Sequence, residues 1–348
     1  MTSMKELRKH YGMSVAFAVL MVALGYYLDG WTGASKTAIL AMIEISMSVD
    51  NAVVQAGILR TWDDVWRRWF IVFGMPIAII VPRFVLPFEI VATATDQSFM
   101  DTWRMASTNP AEYAAAVASV HHEISAFIAS LLFIVAARYF VNAEKDVHWF
   151  GTVEHYLARL GVHMTHWVTF GLVVMLIMVL WASHLPEEQQ MSVVIAAAAG
   201  VATYGALDIL KNWMGGGEDV ASHIVKQGVV GVLYLEALDA SFSLDGVGAA
   251  LAISDNIYVV GAGLAAGCAF VRSTTLHLLE SGAMTKLRYL EHSAFAAIGV
   301  LSVLVAIGIV HEVSEWLTGT LTTGLIVLGV MHSVAHNRLH PEDVEQMG

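Results

Sequence analysis

The chain has 348 residues, 57% of them hydrophobic and 14% charged, with a mean hydropathy of +0.64. A soluble globular domain carries about 25% charged residues, so this composition excludes one and points to a polytopic membrane protein. The formal net charge of −12 argues against a nucleic-acid partner, and a single cysteine, Cys268, excludes a disulfide framework or a cysteine metal cluster.

Taken in chain order, the apolar runs predict an all-α fold with about ten spans, at 12–29, 37–59, 69–91, 119–140, 166–184, 191–211, 226–252, 257–279, 293–311 and 316–335. The whole chain, 1–348, reads as one transmembrane domain. Lys5, Arg8 and Lys9 precede the first run, and no small-residue cleavage site follows it, so it reads as a retained helix. Placing both termini in the cytoplasm puts nearly all Lys and Arg at the inner boundary and leaves Lys36 and Arg104 outside. A cell (inner) membrane location follows as an expectation. Residues 93–118 read as an outer stretch of small residues and scattered charge that suits an interfacial helix; residues 142–165 form an inner connection rich in His and aromatics. The loop MGGGED, 214–219, is the expected seam between two halves.

Two stretches inside apolar runs share one pattern: EISMSVDN (44–51) and DASFSLDG (239–246). A second echo follows, EISAFIA (123–129) and EHSAFAA (291–297), identical at five of seven positions. Arg83 and Arg272 occupy matching places between them. The shared units run over about 36–140 and 226–311, and the span count gives them opposite orientations. An inverted repeat built on polar helices is an architecture of secondary transporters, with the site near the midplane.

A charged side chain at a bilayer centre costs at least about 2.5–3.5 kcal/mol on insertion scales. Glu44, Asp50, Glu123, Glu236, Asp239, Asp245 and Glu291 therefore need protons, arginine partners or a bound cation. Carboxylate, amide and hydroxyl oxygens suit hard divalent ions such as Mn²⁺, Mg²⁺ or Ca²⁺. The candidate ion ligands are Asp50, Asp245, Glu44, Asp239, Asn51, Ser48 and Ser243. Glu123, Glu291, Glu236 and His122 are candidates for the path or for proton coupling, with His121 and His292 beside them, and Arg83 and Arg272 for charge partners.

Helical geometry sets Glu44, Ser48, Asn51 and Gln55 on one face and Ser46 and Asp50 nearly opposite. Glu236, Asp239, Ser243 and Gly246 repeat this, opposed by Ser241 and Asp245. A straight helix cannot point both sets at one ion: either each helix is buried on two polar sides, or it unwinds near Asp50–Asn51 and Asp245–Gly246, and unwinding is the expectation. The plainer readings are that the serines bond back to their own helices, that the arginines are structural, and that Gly263 and Gly267 pack helices internally. His332 and His336 read as interfacial residues at a helix end. HHEIS at 121–125 fails the HExxH pattern because position 126 is Ala, and no nucleophile elbow, Walker loop or dinucleotide fingerprint occurs, so an enzyme is not expected. An intramembrane aspartyl protease would need its two acids side by side.

EISMSVDNAVV and LEALDASFSLDGVGAALAIS resemble the two acidic signatures of the TerC-type integral membrane proteins, with Gly246 after Asp245 where that family usually has Ser. NPAEYA (109–114), DVHWFGTVEHYLARLG and YLEHSAFAAIG resemble a branch of unknown function. The resemblance spans about 36–338 and implies export of manganese as substrate, with no bound cofactor; its core group has near seven spans. The expected partners are the lipid bilayer, a metal ion and protons, and a homo-oligomer or protein partner is compatible. The alternative is a membrane scaffold of a stress or tellurium-resistance complex whose acids form a structural network.

Overall fold

A computed structural model describes residues 4–142, 147–163, 167–214, 228–254, 256–311 and 313–340, and within these the side chains of Asp50 and of residues 241–249 lie outside the description. The fold is all-helical, with no strand among the described residues. Among the described residues seven helices are long and apolar enough to cross a membrane, so the protein is of multi-pass membrane type. The expected count of about ten is not confirmed among the described residues. One apolar helix, Trp167–Ala182, has 16 residues and falls short of the length a bilayer asks for.

The order begins with α1 (Met4–Met47), α2 (Val49–Leu59) and α3 (Asp64–Trp69). A π-helical turn, Phe70–Gly74, leads to α4 (Met75–Ile80), and a second, Val81–Val85, to α5 (Leu86–Ala94). Next come α6 (Phe99–Thr108), α7 (Pro110–Ser119), α8 (His121–Phe140), α9 (Thr152–His163), α10 (Trp167–Ala182) and α11 (Glu187–Met214). The last are α12 (Val229–Ile253), α13 (Ile257–Glu280), α14 (Ala283–Lys286), α15 (Leu290–Gly308) and α16 (Glu315–Leu339).

The described residues fall into two compact units. The first holds Met1–Ala52, Arg68–His121 and Glu236–His277. Its α1 is two arms, 4–28 and 31–47, joined where Asp29 leaves helical geometry and Gly30 takes a φ of +56°. Positive φ suits glycine, which has no Cβ to clash. A Cβ on Gly33 would lie 2.2 Å from the carbonyl oxygen of Gly25, so the arms fold back on each other at these two glycines. The expected runs 12–29 and 37–59 thus begin as two arms of one bent helix.

Asp64–Ala94 continues as one apolar stretch through both π turns. Pro76, Pro82 and Pro87 explain the widening, since each lacks the N–H that an i→i−4 bond needs. Residues 93–118 give α6, capped by Ser98 accepting from the Asp101 N–H, and α7, opened by Pro110. They close over an apolar cluster in which Phe88 stacks on Tyr113 at 5.2 Å, meets Phe99 edge-on at 5.7 Å and lies tilted against Trp103 at 5.1 Å.

The second unit holds Val53–Arg67, His122–Leu235 and Leu278–Gly348. In it α15 packs along α16 and α10 along α11. On α10 the buried stripe Phe170, Val174, Met178 and Ala182 recurs every four residues, while Leu172, Leu176 and Leu180 face outward at 60–67% exposure. An apolar outer face of that kind suits lipid. The loop 214–219 lies, beyond Met214, outside the described residues.

Candidate functional site

Three elements of the first unit bring ionisable side chains together. The second arm of α1 supplies Glu44, the π turn Val81–Val85 supplies Arg83 and α12 supplies Asp239; the three are 7%, 5% and 3% exposed. Arg83 donates from Nη2 to Glu44 Oε1 at 2.9 Å and from Nη1 to Asp239 Oδ2. The π turn places Arg83: a widened turn beside Pro82 shifts the helix register, a common device at functional sites.

Three further groups close the cluster. Asn51 Nδ2 donates to Asp239 Oδ1 at 2.5 Å. Ser48 Oγ donates to Glu44 Oε1 at 3.2 Å, and Cys268 Sγ on α13 donates to the same oxygen at 3.3 Å. The α13 backbone comes this close because position 267 is glycine; a Cβ there would lie 2.4 Å from Glu44 Cβ. Gly263 does the same opposite Leu40, so the GxxxG pair serves packing inside the chain.

The helical face read from spacing is present: Glu44, Ser48, Asn51 and Gln55 are all buried, at 0–7% exposure. Ser46 is exposed and bonds back to the Met42 carbonyl at 2.8 Å, the plain packing role. The expected unwinding falls at neither expected place: Asp50 and Asn51 lie within α2, and Asp245 and Gly246 within α12. The first copy breaks at Ser48, between α1 and α2, and the Ala52 N–H returns to the Ser48 carbonyl at 3.1 Å. The second copy does not break: α12 runs unbroken from Val229 to Ile253, through Asp245 and Gly246. An unbroken helix keeps its backbone groups paired in apolar surroundings, and this outweighs the freedom Gly246 offers. The Asp50, Ser243 and Asp245 side chains lie outside the description.

Glu236 is one turn before Asp239, and its Oε1 is buried with no hydrogen-bond partner. Arg272 does not join the acids through any described bond; its Nη2 donates to the Ile71 carbonyl at 3.4 Å. Glu123 and Glu291 belong to the second unit. Ser192 Oγ donates to Glu123 Oε1 at 2.6 Å, and Arg60 Nη2 pairs with Glu291 Oε2 at 2.6 Å. His122 precedes Glu123 in the first turn of α8. Among the described residues no three His, Cys, Asp or Glu side chains are placed to hold a metal ion.

Sequence reasoning missed Cys268 and Arg60. Cys268 sits in an apolar run and reads as core, and Arg60 reads as a boundary charge; only the GxxxG spacing beside Cys268 hinted at close approach.

A model of a family described as proteins of unknown function, DUF475, matches residues 49–340. The chain belongs to the DUF475 family. This overturns the TerC resemblance, which rested on short acidic motifs and already departed from that family at Gly246. The manganese export it implied loses its ground with it. No curated protein matches the chain, and no solved structure does.

Proposed function

We propose that this DUF475 protein is a membrane transporter for a small cation, with Glu44 and Asp239 as its principal charges. One observation carries the reading: the leading acids of the two echoed motifs share a single guanidinium, Arg83, among buried groups of a multi-pass chain. The trio bears two negative charges against one positive when both acids are ionised. A substrate cation would compete with Arg83 for the same oxygens, so Arg83 acts as the counter-charge of the unloaded state.

The pairing of matched positions also supports the finer picture of an inverted repeat over about 36–140 and 226–311, with alternating access between its copies. In that picture the spans number about ten, both termini are cytoplasmic, and Asp50 and Asp245 add ligands from the far side of each helix. Oxygen donors favour a hard divalent ion, Mn²⁺, Mg²⁺ or Ca²⁺. Glu123 and Glu291 line the path.

The test is flux of these three ions into liposomes holding the purified protein, for wild type, Glu44→Gln, Asp239→Asn, Asp50→Asn and Asp245→Asn. The reading expects saturable wild-type flux and its loss in folded Glu44→Gln and Asp239→Asn. Equal flux in those variants removes the site. No wild-type flux of any ion under any pH gradient removes transport and leaves the structural-scaffold reading.

A further inference from the structure

The described residues 147–163 lie between α8 and α10 and are tied to α15 by one buried cluster. His292, in the first turn of α15, is 4% exposed, and Glu154, in the first turn of α9, is 0% exposed. His292 Nε2 stands 2.7 Å from the Val147 carbonyl oxygen and 3.3 Å from Glu154 Oε1. Glu154 Oε2 accepts from the backbone N–H of Trp149 at 2.7 Å and of Phe150 at 3.2 Å. The other imidazole nitrogen, Nδ1, is 3.1 Å from the Tyr139 hydroxyl on α8.

These contacts fix one proton and leave the other optional. Nε2 faces two acceptors, so it carries hydrogen. Nδ1 faces a hydroxyl, which donates to a neutral imidazole or accepts from an imidazolium by rotating. Both charge states therefore keep their hydrogen bonds. What changes is the charge set against a buried carboxylate, an interaction that burial strengthens.

We propose that His292 is a proton-operated latch: its protonated form clamps residues 147–163 onto α15 through Glu154, and its neutral form releases the clamp. The sign follows from the geometry. Attraction to Glu154 exists only while His292 is protonated, so the segment is held tighter in acid and loosens as the imidazolium gives up its proton. Other titratable or charged groups at the cluster are Tyr139, Glu291 with its partner Arg60, His332 on α16 and, within the clamped segment itself, His148 and His155, which stack at 4.3 Å. His332 has the opposite sign. Its Nδ1 accepts from Trp149 Nε1 at 2.9 Å and must be bare of hydrogen to do so, so acid breaks that bond.

Hydrogen exchange of the full-length protein in lipid nanodiscs, corrected for intrinsic rates, tests the latch between pH 5.5 and 8.0. The Trp149 and Phe150 amides are the reporters and the α8 backbone is the reference. Wild type is expected to lose about tenfold protection at the reporters across this range, the order of one charge-assisted hydrogen bond. His292→Gln and Glu154→Gln should flatten the response, and His332→Gln should leave it or steepen it. A flat wild type overturns the latch, as does a slope that survives His292→Gln or vanishes in His332→Gln alone. Should both latch variants lose protection in α8, Tyr139→Phe decides. It removes the acceptor for the second imidazole proton, so loosening should begin at lower pH; an unshifted profile overturns the proposal.

Discussion

Glu44 and Asp239 end on two nitrogens of one arginine, Arg83, although one acid lies near the start of the chain and the other past its middle. Both are buried, and each has a second donor: Ser48 and Cys268 for Glu44, Asn51 for Asp239. Buried charge is tolerated when it is paired and hydrogen-bonded, and removing one partner exposes the full desolvation cost of the rest. The cluster is thus the point of the first unit most sensitive to a change of charge.

Arg83→Gln should cost about 3–5 kcal/mol of stability, because it leaves two facing carboxylates in a buried site. Arg83→Lys should cost less, since it keeps the charge but reaches one acid rather than two. Thermal unfolding in detergent checks this. Equal loss in the two variants would mean that two-pronged geometry, not charge, is what the site needs.

Gly267→Ala places a methyl 2.4 Å from Glu44 Cβ, so helix and side chain must move apart. Overpacking of this kind costs about 1–3 kcal/mol. The shift should also lengthen the Glu44–Arg83 pair. Glu44→Gly removes both the Cβ and the Cγ that the new methyl meets, so the double variant should destabilise by less than the two single changes added together, a coupling a double-mutant cycle measures. Strict additivity would place the strain elsewhere.

How much of this was legible follows from what each signal measures. Spacing at 3.6 residues per turn gave the buried face of Glu44, Ser48, Asn51 and Gln55, because one helix's periodicity is a local property. It could not say that Asp239, rather than Glu236 a turn earlier, meets Arg83, since that depends on the rotation of α12 against another element. Prolines 76, 82 and 87 marked the arginine helix as irregular, yet the π turn that aims Arg83 is a response of the whole segment. Cys268 carried no signal of its own: a thiol in an apolar run has the pattern of core until a glycine one residue away admits a carboxylate. The acidic motifs likewise resembled a family to which the chain does not belong, because short polar patterns in apolar helices recur under common physical constraints.

Tyr113 in α7 is 1% exposed, and its hydroxyl is buried with no hydrogen-bond partner. Burial raises the phenol well above its ordinary range. A group whose proton is held more tightly in the folded state gives stability that is full below the unfolded value, about pH 10, and is lost as pH rises beyond it. Tyr113→Phe should be neutral or stabilising by up to about 1–3 kcal/mol at pH 7, because a buried unpaired hydroxyl is removed. It should also weaken the fall in stability above pH 10. Unfolding of both proteins at pH 7, 9 and 11 tests the pair of outcomes. A clear loss at pH 7 would show that the hydroxyl has a partner, such as a bound water.

Glu236 and Asp239 share a helix and a neighbourhood, and they should answer the same substitution differently. Asp239 takes bonds from Arg83 and Asn51, so Asp239→Asn removes the charge that both donors address and should cost about 2–4 kcal/mol. The Glu236 Oε1 has no partner in its buried position. An ionised carboxylate held that way would be expensive, whereas an amide or a protonated acid of the same shape would not be. Glu236→Gln should therefore change stability by less than about 1 kcal/mol. Thermal unfolding of the two variants side by side separates the roles. If Glu236→Gln proves as damaging as Asp239→Asn, the two acids share Arg83, and the charge opposing that arginine is larger by one.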